Sequence, residues 1–532
     1  MGYEGLFFAG LLVVVVILAG RAIANRTGLP DAIPLVLLGL LVSYLPGMER
    51  FEVSPEIVLL LFLPPLLYHA ASFTSPRETR AESRAIIGLA VGVTTLTALG
   101  VAAVIVLVLP EQASWPVAIA LGAAVAPTDA VAAGAVLRRV GAPRRIVTIL
   151  EGESLINDAA ALTIFSLALA ALTQPLTLGG GLWELLRIVA GGVLWGLVVA
   201  AVAGRVRGRI RDPDDQLLIS LLVPFIAYIP AENLHLSGVL ATVTAGFVLG
   251  TRVEGLLPAG VRLNGQTIWQ GLVFLLESVL FVLLGLQLHE VLVEVAGRDP
   301  VSLVLAAVAA IVTAVAIRLA WEVGVIGAVQ RLKLRRSLAP LPLRERVVVG
   351  WAGLRGAISL AIALSLPQTV NGRPFEDRPV LIFMAAAVVL ATLVGQGMTL
   401  PWLLRRLGVG ERDDRAWDVA RGQRALDEAA LARIDELAAR GEIGEETAET
   451  HRQPIRLRLS RMSAALDSDD PGAAEDAAQH RASAVRLQRE LLAAQRGQLE
   501  ELYRDGRITH DTYRHLQRQL DLDEPRHPDG RR

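Results

Sequence analysis

Thirteen apolar segments, each about as long as a membrane-crossing helix, divide the first 405 residues of this chain. A helix needs roughly 20 mainly apolar residues to cross a bilayer, and inside lipid its backbone polar groups must pair within the protein. The hydrophobic share of 53% and the charged share of 19% are typical of a polytopic membrane protein and not of a soluble domain. The predicted spans are 5–24, 30–47, 55–73, 85–109, 114–137, 145–173, 181–204, 215–231, 236–251, 266–288, 301–329, 346–367 and 379–405.

The loop charges predict the orientation of these spans. Arg and Lys are concentrated in alternate loops, as at 138–145, 205–211 and 331–346, whereas the loops between them carry few. Because basic loops stay on the cytoplasmic side, we predict an N-terminus outside and a C-terminus in the cytoplasm, in the plasma (inner) membrane. The first apolar run has no basic segment before it, which predicts an uncleaved span and not a signal peptide.

The composition changes sharply after the last span. Residues 410–532 are rich in Ala, Glu, Arg, Leu and Asp, with helical periodicity and no run of spanning length. A motif at 436–443 recurs at 501–508, and each copy predicts a helix, a Gly turn and a second helix. We therefore divide the chain into a transmembrane domain, 1–409, and a cytoplasmic helical tail, 410–532. The tail is either a solvated hairpin or a regulatory or oligomerising module.

Three carboxylates and one amide lie inside the sixth span, within the sequence Glu-Gly-Glu-Ser-Leu-Ile-Asn-Asp at 151–158. Asp158 lies about 20 Å from the start of its span, near the middle of the bilayer. A carboxylate at that depth costs several kcal/mol and usually faces a partner or a water-filled path. Asp158 therefore predicts a proton or cation site, and Ser154, one helical turn before it, can add a hydroxyl oxygen.

Two spans carry helix-breaking residues at their centres. Span five contains Ala-Pro-Thr-Asp at 126–129, and span twelve contains Gly350, Gly353 and Gly356 around Leu-Arg at 354–355. A single Pro often only kinks a helix, but two breaks seven spans apart fit inverted repeats whose discontinuous helices surround an ion site. The sequence therefore predicts two crossing discontinuous helices.

Taken together, these sequences resemble the monovalent cation/proton antiporters of the NhaP-type and Na⁺/H⁺ exchanger branch. The resemblance covers about residues 5–405. It implies an all-α membrane fold, and the Asn-Asp and Gly-Leu-Arg-Gly motifs are its most specific parts. The matching sequences are 62–67, Pro127-Thr128-Asp129, 153–158, Glu277 with Leu284-Gly285, Ile317-Arg318 and 353–357.

The resemblance implies roles for the residues of the central site. Asp158 would bind either a proton or a cation, with Ser154, the Thr128 carbonyl and Asp129 nearby, and the metal ligands would be Asp158, Ser154 and Thr128. Asn157 stands where electrogenic relatives carry an Asp and use an intramembrane lysine. Since Asn is neutral and the only lysine of the chain lies in a predicted inner loop, we predict a 1:1 electroneutral exchange.

The remaining intramembrane charges are assigned supporting roles. The resemblance implies a structural ion pair between Glu153 and Arg318, which is sensible because an unpaired buried charge is costly. Arg355 and Glu277 are predicted to satisfy backbone groups freed at the break in span twelve. His69 departs from many relatives, which carry an acid after the Pro-Pro segment, and we expect it near the cytoplasmic mouth.

Function and partners follow as expectations. We expect exchange of protons for Na⁺, or for Li⁺ or K⁺, in pH and sodium homeostasis, by a homodimer in the lipid bilayer. We expect no cofactor, no nucleic acid partner and no enzymatic activity. The alternatives are a transporter-derived membrane sensor, a cation channel, and an intramembrane hydrolase. A channel would need a continuous polar stripe, and a Ser-His hydrolase would need a histidine near Ser154, where only peripheral His69 is available.

Overall fold

The structure is a computed structural model that describes 3–27, 29–45, 54–73, 82–109, 114–173, 178–210, 212–253, 259–326, 341–370, 372–409, 414–466, 471–505 and 507–522. The chain forms two compact units, Met1–Gly410 and Glu411–Arg532. In its described ranges, the first unit is helical apart from one short antiparallel pair, β1 (Thr369–Val370) with β2 (Arg373–Pro374). Its helices are α1 (Tyr3–Thr27), α2 (Ala32–Ser43), α3 (Pro55–Ile57), α4 (Leu63–Ser72), α5 (Ser83–Ile87), α6 (Thr94–Val108), α7 (Trp115–Val125), α8 (Ala130–Val140), α9 (Arg144–Thr173), α10 (Leu178–Arg207), α11 (Pro213–Asn233), α12 (Gly238–Val253), α13 (Ala259–Val295), α14 (Pro300–Ala320), α15 (Leu343–Trp351), α16 (Ala357–Leu364) and α17 (Arg378–Leu407).

The helical membrane fold predicted from the apolar segments is confirmed. Within the described ranges, nine helices are long and apolar enough to cross a membrane by length and composition. Shorter apolar helices occupy Ala32–Ser43, Trp115–Val125 and Gly238–Thr251. Every predicted span coincides with helix, while the count of thirteen crossings and their orientation stay predictions.

Among the described residues, three spans contain a π-helical turn, at Val58–Phe62, Gly88–Val93 and Trp321–Val325. The first lies directly before the paired prolines Pro64 and Pro65, which open α4. Because proline has no backbone N–H, the carbonyls one turn earlier lose their usual helical donors, and a wider turn forms there.

Spans five and twelve are discontinuous, as the sequence predicts. Span five ends as α7 at Val125 and resumes as α8 at Ala130, and span twelve ends as α15 at Trp351 and resumes as α16 at Ala357. Pro127 cannot donate a backbone hydrogen bond, which explains the first interruption. The residues between the half-helices, 126–129 and 352–356, are extended or irregular.

Close packing of the other helices depends on small residues. Helix α13 packs along α2, and α10 packs along α12. Where α2 and α13 meet, Gly39 and Gly285 face each other's backbone, so that an added Cβ on either one would overlap main-chain atoms of the opposite helix. Close approach of this kind replaces the hydrophobic driving force that helices lack in lipid.

The second unit consists of helices alone in its described part. These are α18 (Asp414–Ala439), α19 (Glu445–Leu466), α20 (Pro471–Arg504) and α21 (His510–Leu522). Helix α18 packs on α19, and α20 packs on α21. Gly441 turns the chain between the first two helices with a positive φ of 71°, which glycine adopts without strain. Gly506, which stands at the matching place of the second copy, lies outside the described residues.

Candidate functional site

The two discontinuous spans cross through their main chains. The Asp129 N–H donates to the carbonyl oxygen of Leu354 over 2.6 Å, and the Ser359 hydroxyl donates to the carbonyl of Pro127 over 3.4 Å. Gly356 permits this approach, because a Cβ at that position would overlap the side chain of Asp129. The crossing therefore depends on backbone placement and on the absence of one side chain.

Arg355 satisfies carbonyl groups freed at both breaks. Its guanidinium is 1% exposed and donates to Val125 over 3.1 Å, to Gly353 over 2.6 Å and to Ala314 over 3.5 Å. Val125 is the last residue of α7, so the positive charge stands at the carboxyl end of a half-helix, where the helix dipole favours a cation. Its own N–H donates to the Thr392 hydroxyl of α17 over 3.3 Å.

Asp158 lies in the middle of α9 and lines a cavity of about 50 Å³ beside the crossing. It is 3% exposed, and it makes no hydrogen bond or ion pair with any residue in the described ranges. Buried carboxylates are usually paired, so an unpaired one on a cavity wall is a candidate ligand for a proton or a cation. Ser154 and Thr128 line the same cavity.

Asp129 and Ser154 also hold the backbone where α8 begins. The Asp129 carboxylate accepts the Ala132 N–H over 3.1 Å, which caps α8. The Ser154 hydroxyl accepts the Ala130 N–H over 3.4 Å. Both side chains still line the cavity, so the predicted ligand oxygens of Ser154, Thr128 and Asp129 lie around the space that Asp158 faces.

A buried ion pair lies behind the cavity. Glu153 and Arg318, each 1% exposed, form the pair that the resemblance implies, with the second contact at 2.7 Å. The Thr128 hydroxyl donates to Glu153 over 3.3 Å and accepts from the Asn157 amide over 2.9 Å. Arg318 also donates to the carbonyl of Val349 in α15 over 3.3 Å. The pair therefore joins α9, α14, α15 and the break in span five.

Asn157 is fully buried next to this ion pair. Its amide nitrogen also donates to the Thr128 carbonyl over 3.5 Å, while its amide oxygen has no hydrogen-bond partner among the residues that the structure describes. The neutral amide thus orients Thr128 without adding charge, whereas an acid here would stand close to Glu153. Asn157 therefore holds the Thr128 carbonyl in place at the break in span five.

Glu277 and His69 line the Asp158 cavity from two further helices. Glu277 makes no hydrogen bond to the described backbone of the span-twelve break and lines the Asp158 cavity from α13. His69 lines the same cavity from α4, with its ring 4.6 Å from the Phe73 ring, and its expected place near the cytoplasmic mouth stays a prediction. The sequence gives depth along one span but not which span lies opposite, so neither position could be derived.

Two polar residues at the crossing carry no sequence signal. Ser359 and Thr392 form hydrogen bonds with the unwound segments, but isolated hydroxyls are common in apolar spans.

Glu322, one turn after Arg318, is 3% exposed and forms no ion pair within 4 Å in the described part of the chain.

Comparison with known proteins decides the family. The profile described as sodium/hydrogen exchanger, transmembrane, matches residues 11–406. The chain belongs to this family. The exchanger is therefore an integral, multi-pass membrane protein and an antiporter of monovalent cations and protons, which is a transporter class and not an enzyme class.

The exchanger also resembles individual proteins over most of its length. An uncharacterised Na⁺/H⁺ exchanger of Escherichia coli (strain K12) is 31% identical over 542 residues, covering 97% of this chain and 98% of that protein. A sodium, potassium, lithium and rubidium/H⁺ antiporter of Bacillus pumilus is 31% identical over 417 residues, covering 74% of this chain and 61% of that protein.

The fold has a solved counterpart as well. The structure of the sodium proton antiporter MjNhaP1 from Methanocaldococcus jannaschii at pH 8 aligns with a TM-score of 0.61 at 19% identity, covering 76% of the exchanger and 100% of that chain. The likeness to this structure concerns the fold alone.

Proposed function

We propose that the chain exchanges protons for Na⁺, or for Li⁺ or K⁺, with Asp158 binding either the proton or the cation. The observation that carries the proposal is the place of Asp158, which is 3% exposed, unpaired in the described structure, and on the wall of a cavity where two broken helices cross. A bare carboxylate is costly there, so either a proton or a cation must compensate its charge.

Competition for one carboxylate then produces exchange. A proton and a cation cannot both occupy Asp158, so each time the site moves from one side of the membrane to the other it carries one or the other. The cation ligands in this proposal are the Asp158 carboxylate, the Ser154 hydroxyl and the Thr128 carbonyl, with Asp129 beside them. Hard cations prefer oxygen ligands of this kind. No cofactor takes part, since the chain itself supplies the ligands.

We propose that the exchange is electroneutral, one proton for one cation. The support is the pair of neighbouring residues: Asp158 can be charged, while Asn157 is neutral and is held by Thr128. The only lysine, Lys333, lies in a loop that we predict to be inside the cell from the loop charges, so no lysine amine would compensate the site.

Alternating access would expose Asp158 to each side in turn. In this proposal a core that contains spans five, six and twelve moves against a scaffold, and the scaffold forms a homodimer. The protein would lie in the plasma (inner) membrane with its N-terminus outside, serve pH and sodium homeostasis, and carry residues 410–532 as a cytoplasmic regulatory or oligomerising tail. The support for these points is the loop-charge pattern and the family resemblance.

The test is proton flux in proteoliposomes with a preset pH gradient and a clamped membrane voltage. Na⁺, Li⁺ and K⁺ are added in turn, because the Bacillus pumilus relative is named for several alkali cations. We expect a cation to trigger proton movement that imposed voltage does not change. Voltage-dependent exchange would contradict the electroneutral stoichiometry, and no flux with any of these cations would contradict the proposed exchange.

A further inference from the structure

The cavity that Asp158 faces is also lined by helices that belong to neither broken span. Asp158 of α9 and Asp129 of the span-five break line it, together with the oxygens beside them. Glu277 of α13 and His69 of α4 line the same cavity. Helix α13 packs along α2 and also contacts α16, the second half of broken span twelve.

Glu277 is a half-buried carboxylate on the cavity lining. Within the described residues it forms no hydrogen bond and no ion pair. The cavity lining also contains the acids Asp129 and Asp158, and its described residues include no Arg or Lys. A carboxylate without a protein partner, in a cavity whose charges share one sign, favours a cation inside that cavity.

Asp158 is an independent sign that the cavity is built for a ligand. It is more than nine-tenths buried and lines the cavity without a partner in the described ranges. The two carboxylates therefore face one space from different helices, and a monovalent cation in that space lies between them. A water molecule could fill 50 Å³, but it would leave both charges uncompensated.

We propose that Glu277 is a cation-affinity residue of the exchange: it attracts and contacts the cation in the cavity, while Asp158 alone exchanges cation for proton. This inference rests on the proposed function of Asp158. Because Glu277 acts on the cation before and during its stay at Asp158, removing its charge weakens binding without removing the exchanging group. A loss of binding energy that is equal in the bound state and in the transition state raises KM and leaves kcat unchanged.

The first test is Glu277→Gln in the full chain, measured as Na⁺-dependent proton flux in proteoliposomes. We expect the apparent KM for Na⁺ to rise about tenfold, with the maximal rate within about twofold of wild type. The matched control is Glu294→Gln, which removes the same charge from an exposed position of the same helix and should leave KM unchanged. A wild-type KM in Glu277→Gln would overturn the proposal.

The second test separates charge in the cavity from a structural role of Glu277. Because His69 lines the same cavity, the double variant His69→Glu with Glu277→Gln returns a carboxylate to that cavity. We expect it to recover most of the lost Na⁺ affinity. A structural role would predict no recovery, together with a lower melting temperature in both variants, and either finding would overturn the proposal.

The failure of this inference differs from failure of the proposed function. If Asp158→Asn is inactive and Glu277→Gln behaves as wild type, only the role of Glu277 is wrong. If Asp158→Asn still exchanges, the proposed function is wrong, whatever Glu277→Gln does. If Glu277→Gln does not yield folded protein, Glu277→Asp is measured instead. A KM for Na⁺ within about twofold of wild type would support the charge-based role. A large loss of maximal rate would contradict it.

Discussion

Asp158 is the residue whose charge the proposed exchange requires. Replacing it by Asn keeps the size of the side chain but removes the group that can bind a proton or a cation. We expect Asp158→Asn to abolish cation-driven proton flux in proteoliposomes. The melting temperature in detergent should be equal or higher, because an unpaired buried carboxylate is lost.

The control for this variant is Asp214→Asn, at an exposed position in the first turn of α11. It should exchange as wild type does. Retained exchange in Asp158→Asn would contradict the assignment of Asp158 as the exchanging carboxylate.

Arg318 is a structural residue in our interpretation. Its partner Glu153 is 1% exposed, so Arg318→Ala leaves a buried carboxylate without its cation, which costs about 3–5 kcal/mol. We expect a large fall in melting temperature and in the yield of folded protein. Arg205→Ala removes an exposed arginine and serves as the control. A fully stable but inactive Arg318→Ala protein would argue for a direct part in transport.

At the scale of elements, the crossing of the two broken spans depends on Gly356. A methyl group there would overlap Asp129, so Gly356→Ala should separate the half-helices and lower the exchange rate at least about tenfold. The control is Gly395→Ala in α17, where an added Cβ meets nothing within 4 Å. That variant should exchange normally and melt at an equal or higher temperature. Normal exchange by Gly356→Ala would show that the crossing tolerates displacement.

In the tail, the contact between α18 and α19 should depend on pH. Hydrogen bonds from Arg458 and Gln423 lower the pKa of Asp427 below its usual 3.8. A carboxyl with a depressed pKa stabilises the folded hairpin above the unfolded pKa, and this contribution is lost as pH falls through the folded pKa. We expect Asp427→Asn to reduce amide protection of α18 and α19 at pH 7, measured by hydrogen exchange and mass spectrometry. The difference from wild type should shrink at an acidic pH below the folded pKa of Asp427.

A surface pair provides the comparison for this variant. Glu428 pairs with Arg424 at an exposed position, where such pairs contribute little. Glu428→Gln should therefore keep wild-type protection at both pH values. Equal protection of Asp427→Asn and wild type at pH 7 would contradict the role of the Arg458 contact.

The breaks in spans five and twelve could be predicted because Pro127 and the clustered glycines act locally on the backbone. The π-helical turns could not, since hydropathy records apolar content and not which carbonyl a given N–H reaches. The same limit affects the site. Asp158 and Ser154 share a helix face that the sequence reveals, whereas the positions of Glu277 and His69 depend on how distant helices pack.

For the whole molecule, the two-unit division leads to a truncation experiment. Every residue of the candidate site lies within Met1–Gly410, and the tail forms its own compact unit. We expect a chain ending at 410 to fold and to retain cation-driven proton flux in proteoliposomes, with altered regulation or assembly as the only change. The same truncation carrying Asp158→Asn is the inactive control. Loss of flux with preserved melting behaviour would show that transport needs the tail.

The join between Asp129 and Leu354 is made by main-chain atoms, and this bears on how the sequence can diverge. Side chains at these two positions can be replaced without touching the bond, whereas an insertion or deletion in either unwound segment would move it. We therefore expect evolutionary drift around the crossing to proceed by substitution, with the segment lengths held fixed. A shared fold at 19% identity with the archaeal antiporter is what such drift would leave.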